Sequence, residues 1–195
     1  MSMRTFKYIY IIVSVVVCTV LALASCSPVE DGLAYAGDNT SCPEPTVAYE
    51  GKWTVGDVQS ASGTAWLSTR QLLLDDVPYA DIIRQLMPNS DITSAKKTYD
   101  GDDVLKCVAS QTSDNSTLLS IMPATWHVAA IVDGESHSID IFMTQTINGR
   151  DDQSWGTVSK TGVLTLILHV TSYSVDGGEA VPAALKLVFT AKRQK

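Results

Sequence analysis

Beyond residue 46 the chain is built of short apolar runs, many alternating with polar residues at a period of two. The segments GKWTVGDV (51–58) and TAWLSTRQLLL (64–74) are rich in β-branched and aromatic residues, and QSASG (59–63) between them has turn composition. The pattern changes once. In DDVPYADIIRQLMP (75–88), Asp76 can cap, Pro78 suits a first turn and Pro88 stops the run, while Ile82, Ile83, Leu86 and Met87 share one face. That predicts a short amphipathic helix lying against a sheet. The period of two then returns in KKTYDGDDVLKCVAS (96–110) and STLLSIM (116–122). ATWHVAAIV (124–132) and ESHSIDIFMTQT (135–146) meet across Asp133-Gly134, a turn pair that matches strand twist. KTGVLTLILHVTSYSV (160–175) and AALKLVFTA (183–191) follow, with Asp176-Gly177-Gly178 between them. The expectation is an all-β domain of about nine strands with one helix, an antiparallel meander closed as a barrel or packed as a two-sheet sandwich.

The first 45 residues follow neither period. Arg4 and Lys7 precede an uncharged apolar run from Tyr8 to Ala24, the order of a secretory signal peptide. A run of this length could also span a bilayer as an anchor helix. Against that, it ends in small residues, and the next charges are Glu30 and Asp31 rather than a basic stop-transfer cluster. From Ser27 to Pro45 the chain is rich in Pro, Gly, Ser and acids and cannot bury enough surface to order itself.

Leu23-Ala24-Ser25-Cys26 resembles the lipobox of bacterial lipoproteins. The resemblance implies residues 1–25 as a cleaved signal peptide, a lipid-modified Cys26 opening a flexible spacer at 26–46, and one β domain at 47–195. Each buried methylene of the acyl chains contributes roughly 0.8 kcal/mol, and two chains make a stable anchor. Ser27 is compatible with outer-membrane sorting in that family, and Glu30-Asp31 resembles, loosely, the acidic run that sends some Bacteroidota lipoproteins to the cell surface. The lipobox, the spacer and YEGKW (49–53) together resemble small Bacteroidota lipoproteins, several with calycin-like (lipocalin-like) barrels. Gly51 and Trp53 match the Gly-x-Trp of a lipocalin's first strand, which implies β architecture and a Trp closing the barrel, but no ligand.

Charge and cysteines narrow the options further. The whole chain has 14 basic and 21 acidic residues; losing Arg4 and Lys7 with the signal leaves 12 against 21, a net charge of −9. An acidic balance repels nucleic acid and anionic lipid heads, which argues against a phosphate-reading role. With Cys18 in the signal and Cys26 as the tether, Cys42 and Cys107 remain. In an oxidising compartment they read as a disulfide closing a loop of roughly 65 residues, which stabilises by about 4 kcal/mol. The other reading is a buried Cys107 and a free Cys42.

Candidate sites are sparse. Around a two-residue turn at Asp133-Gly134, His127 falls opposite Asp140 with Ser138 on the diagonal, a Ser-His-Asp skeleton without an oxyanion hole. A cross-strand charge pair explains it as well. The loops holding Asp100, Asp102 and Asp103, and Asp151 and Asp152, lack the ligand spacing calcium requires, and no Cys/His spacing suggests a metal. Trp53, Trp66 and Trp126 fall in strands and read as core. Trp155, after a polar loop, is the tryptophan most open to exposure, to be read as a packed hairpin aromatic or as a binding residue, and Tyr79 would rim a pocket or cover it. No cofactor is implied. The reading is a non-enzymatic binding or accessory module, tethered at the outer membrane on its periplasmic or extracellular face, with a small apolar ligand, a glycan or a protein as partner. The alternative is an assembly subunit of a surface complex or fimbria-like fibre that uses strand addition.

Overall fold

A computed structural model describes residues 46–143 and 153–194, all within one compact unit, Glu44–Lys195. The chain forms β1 (Val47–Val55), β2 (Val58–Leu67) and β3 (Gln71–Asp75), then helix α1 (Tyr79–Leu86). Next come β4 (Ile92–Lys97), β5 (Val104–Gln111), β6 (Thr117–Ile121), β7 (Ala124–Val132) and β8 (Glu135–Met143). β9 (Trp155–Val158), β10 (Val163–Val175) and β11 (Val181–Arg193) complete the fold. It is all-β, with one short helix, as the alternation predicts, but the described residues hold eleven strands rather than nine. The additions are short. β4 and β5 are separate strands where KKTYDGDDVLKCVAS read as one, and β9 has 4 residues.

The pairings run in a ring: β1 to β2, β3, β5, β6, β9, β10 and β11, and back to β1, all antiparallel. Strand β10 has two neighbours along one edge. Its residues Leu164–Ile167 face β9, and Ser172–Val175 face β8, with a register shift against β11 between Val170 and Ser172. From that upper half β8, β7 and β4 extend the sheet, and α1 packs on β4 with smaller contacts to β1 and β11. Extension, helix and ring share one apolar core.

Alternation places Tyr49, Trp53, Leu72, Leu105, Leu119, Leu166 and Phe189 inside, where they are buried. Trp53 and Phe189 stack with ring centroids 4.8 Å apart. In the upper part, Tyr79 meets Trp126 edge-on at 5.5 Å, and Ile82 and Ile83 of the helix belong to the same core. Large side chains, Trp53 and Phe189 among them, occupy the inward positions of the ring. Two of the three indoles expected in the core, Trp53 and Trp126, are there. Trp66 is not: it is half-buried on the outer face, opposite Leu73 of β3, because its inward neighbours are Ala65 and Leu67.

Two local expectations also shift. QSASG lies within β2, and the turn is Gly56-Asp57, where Gly56 takes φ +59°. A left-handed position favours glycine, and composition alone placed the turn a few residues late. Asp76 does not cap α1. It takes φ 54° ahead of the helix, and Pro78 occupies the cap position, its carbonyl accepting from Asp81 N and Ile82 N.

Candidate functional site

A dense set of polar contacts lies on the connection 98–103 between β4 and β5. Asp103 is only 4% exposed. One carboxylate oxygen accepts from the Tyr79 hydroxyl, and the other sits 2.5 Å from Lys97 Nζ. Its backbone carbonyl accepts from Leu74 N of β3 at 2.9 Å. Beside it, Asp102 accepts from His127 N at 2.8 Å and lies 3.2 Å from His127 Nδ1. The Tyr99 ring meets the same imidazole edge-on at 5.1 Å.

The electrostatics follow from burial. Burial, then the hydrogen bond to Asp103, pushes the Tyr79 hydroxyl far above the usual phenol range. The hydrogen bond to Asp103 raises the Lys97 ammonium, against a smaller opposing effect of desolvation. Tyr79 is therefore held as a donor and Lys97 as a cation. Neither is a poised acid or base at neutral pH. The cluster is a clamp: it fastens α1, β3, β4 and β7 to one connection.

The sequence candidates are dispersed. His127 does pair in register with Asp140, but its imidazole turns to Asp102, whose carboxylate also holds the His127 backbone. Ser138 faces Ala129, and its N–H donates to Asp176 at 2.8 Å; the Asp176 carboxylate also sits 2.7 Å from His137 Nδ1. No Ser-His-Asp triad assembles among these residues. His169 is half-buried, its backbone N–H donating to Ser154 Oγ. Tyr79 is buried, with its ring against Trp126 and its hydroxyl on Asp103. Trp155 is half-buried and points outward, beside Ser120 and Ile167. Cys107 is a buried free thiol that burial pushes up from its ordinary range. Cys26, Cys42, Asp151 and Asp152 lie outside the described residues. Among the described residues no group of three or more His, Cys, Asp or Glu could hold a metal ion, and no helix is long and apolar enough to cross a membrane.

Two clefts open at the surface at the end of the ring where the chain enters. One, of about 510 Å³, lies between Arg70-Gln71 and Lys106–Ala109, with Met122 on its wall. Its apolar rim is exposed: Val108 is 61% and Met122 44% accessible. The other, of about 670 Å³, is lined by Tyr49, Asn115, Ser159, Lys160, Arg193 and Gln194, among others. Sequence reasoning missed both clefts and the clamp. Asp102 and His127 are 25 residues apart, and Tyr79 and Asp103 are 24 apart; no local pattern links them.

Comparison with protein-family models, with curated proteins and with solved structures finds no match for this chain.

Proposed function

We propose that the protein is a membrane-tethered, non-enzymatic accessory lipoprotein at the outer membrane, anchored through Cys26, that binds its partner on its outer surface. The observation that carries the second half is the contrast between inside and outside. Large side chains occupy the inward positions of the ring, including Trp53 and Phe189. Apolar groups remain exposed on the outer wall at Leu73, Val108 and Met122, and the apolar cleft opens beside two of them. A calycin-like lumen for a small apolar ligand is thus the weaker form of the binding reading. A protein or glycan partner on the wall is the stronger one, because exposed apolar patches on a soluble domain mark interaction sites.

The assembly reading has an observation of its own. Among the described residues, strand β11 pairs with β1 only from Leu187 onward, so Val181 and Pro182 have a strand partner on the β10 side alone. Pro182 removes one donor from that edge, as natural edges do.

The test is site-specific photo-crosslinking in the native envelope, with the probe at Val108, at Leu73 and, as a control, in the Asp176–Gly178 turn. Acyl labelling of the full chain and of Cys26→Ser runs alongside. Discrete adducts from Val108 or Leu73 but not from the control, with label lost in Cys26→Ser, are expected. Label that persists in Cys26→Ser, or adducts that are equal at all positions, overturns the reading.

A further inference from the structure

The average charge of the domain conceals an ordered distribution. The end of the ring where the chain enters, at Val47, gathers the turns 68–70, 112–116 and 159–162 together with the last residues of β11. The register confirms the grouping: Val47 faces Leu67, Tyr49 faces Arg193, Val163 faces Lys192, and Thr117 faces Val158. This end carries Arg70, Lys160, Lys192 and Arg193. Its acids are two. Asp114 is engaged by the Thr112 hydroxyl and by Ser116 N. Glu50, opposite Lys192, accepts from the Gln194 side chain. At the other end, the hairpin turns 56–57, 133–134 and 176–180 hold Asp57, Asp133, Asp176 and Glu179, and no Lys or Arg.

The basic end is also shaped. Lys160 and Arg193 flank the cleft of about 670 Å³, whose wall includes Tyr49 and the Ser159 and Thr161 hydroxyls, 2.8 Å from each other. Ser159 N–H donates to Val163 O, Gly162 N–H to Ser159 O and Arg193 N–H to Gly162 O, so the turn and the strand end are held as one piece. Cations beside hydroxyl groups suit phosphate oxygens.

We propose that this end of the barrel seats on an anionic phospholipid surface, with headgroup phosphates taken by Lys160, Arg193, Lys192 and Arg70. This rests on the lipoprotein reading, since an acylated Cys26 would bring the same end to the membrane. The acidic turns then face away, and like-charge repulsion opposes the inverted orientation. The seat orients what the tether only holds nearby.

The experiment uses the chain from residue 26 onward with Cys26→Ser, so that no acyl group contributes. It is sedimented with vesicles of phosphatidylglycerol and phosphatidylcholine, and with vesicles of phosphatidylcholine alone, at low and physiological salt. Binding to the anionic vesicles alone, falling with salt, is expected. The pair Lys160→Gln and Arg193→Gln should weaken it on the order of 30-fold, while Lys96→Gln and Lys186→Gln, with the same change in net charge, should leave it nearly unchanged. Thermal midpoints of both pairs show that the fold is kept. Equal loss in both pairs, equal binding to neutral vesicles, or displacement by millimolar inorganic phosphate overturns the bilayer seat. Acyl labelling of Cys26 in cells separates the two proposals. Labelling without vesicle binding defeats the seat alone, and vesicle binding without labelling defeats the tether alone.

Discussion

Two glycines set how closely the wall of the ring can close. A Cβ on Gly51 would come 2.1 Å from Thr190 O and 2.5 Å from Ala191 Cα, both backbone atoms of β11. A Cβ on Gly63 would come 2.6 Å from Trp53 Nε1 and 2.9 Å from Asp75 O. An indole can tilt, but a paired strand cannot step aside. Gly63→Ala is therefore expected to destabilise by about 1–3 kcal/mol and Gly51→Ala by more, read from urea midpoints. Gly51 and Trp53 were legible in the sequence because a Gly-x-Trp at a strand start is a local pattern. Trp66 was not: residue type says β, but only the pleat says which side faces in. Asp176 carries a pH prediction. The hydrogen bond from His137, then that from Ser138 N, holds its carboxyl below the usual range. A depressed folded value contributes stability above the unfolded pKa of about 3.9, and that stability is lost as pH falls through the folded value. Asp176→Asn, which tolerates the left-handed backbone at this position, should thus lower the urea midpoint at neutral pH and flatten its fall between about pH 5 and about pH 2.

Among elements, α1 depends on its neighbours more than on itself. It has 8 residues and no side-chain cap, and so short a helix is unstable alone. It persists because Ile82 and Ile83 are buried against the sheet and Tyr79 reaches Asp103. Ile82→Ala should cost about 2–5 kcal/mol. Tyr79→Phe keeps the ring on Trp126 but removes a donor from a buried carboxylate, at about 1–3 kcal/mol. Hydrogen exchange should then quicken first at His127 N, Thr98 N and Leu74 N, whose acceptors the clamp holds; protection unchanged there would show that it holds nothing. The helix was legible from four apolar positions on one face. The clamp was not, since it joins residues that come together only when β4 and β5 are distinct strands with a polar connection between them.

For the whole molecule, the sequence supported an antiparallel all-β domain, and the Asp133-Gly134 hairpin register follows from its turn alone. Ring closure did not follow. It depends on β10 meeting β9 and β8 along one edge, and on β11 returning to β1 from the far end of the chain. Such long-range pairings leave no period in the sequence. Because ring, extension and helix share one core, calorimetry should show a single unfolding transition, with calorimetric and van't Hoff enthalpies equal. Two resolved transitions would mean that β4, β7 and β8 melt apart from the ring.

Tyr49 and Arg193 are partners in register, and Gln194 N donates to Ala48 O. Entry and exit of the folded body are thus neighbours, which matters for anyone attaching a reporter. A fluorescent protein fused after Lys195 would leave the body beside Ala48, whereas one spliced between Gly177 and Gly178 would project from the opposite pole. Under the proposed tether and seat, the second reporter, measured against a membrane dye, should stand farther from the lipid than the first by about the height of the barrel.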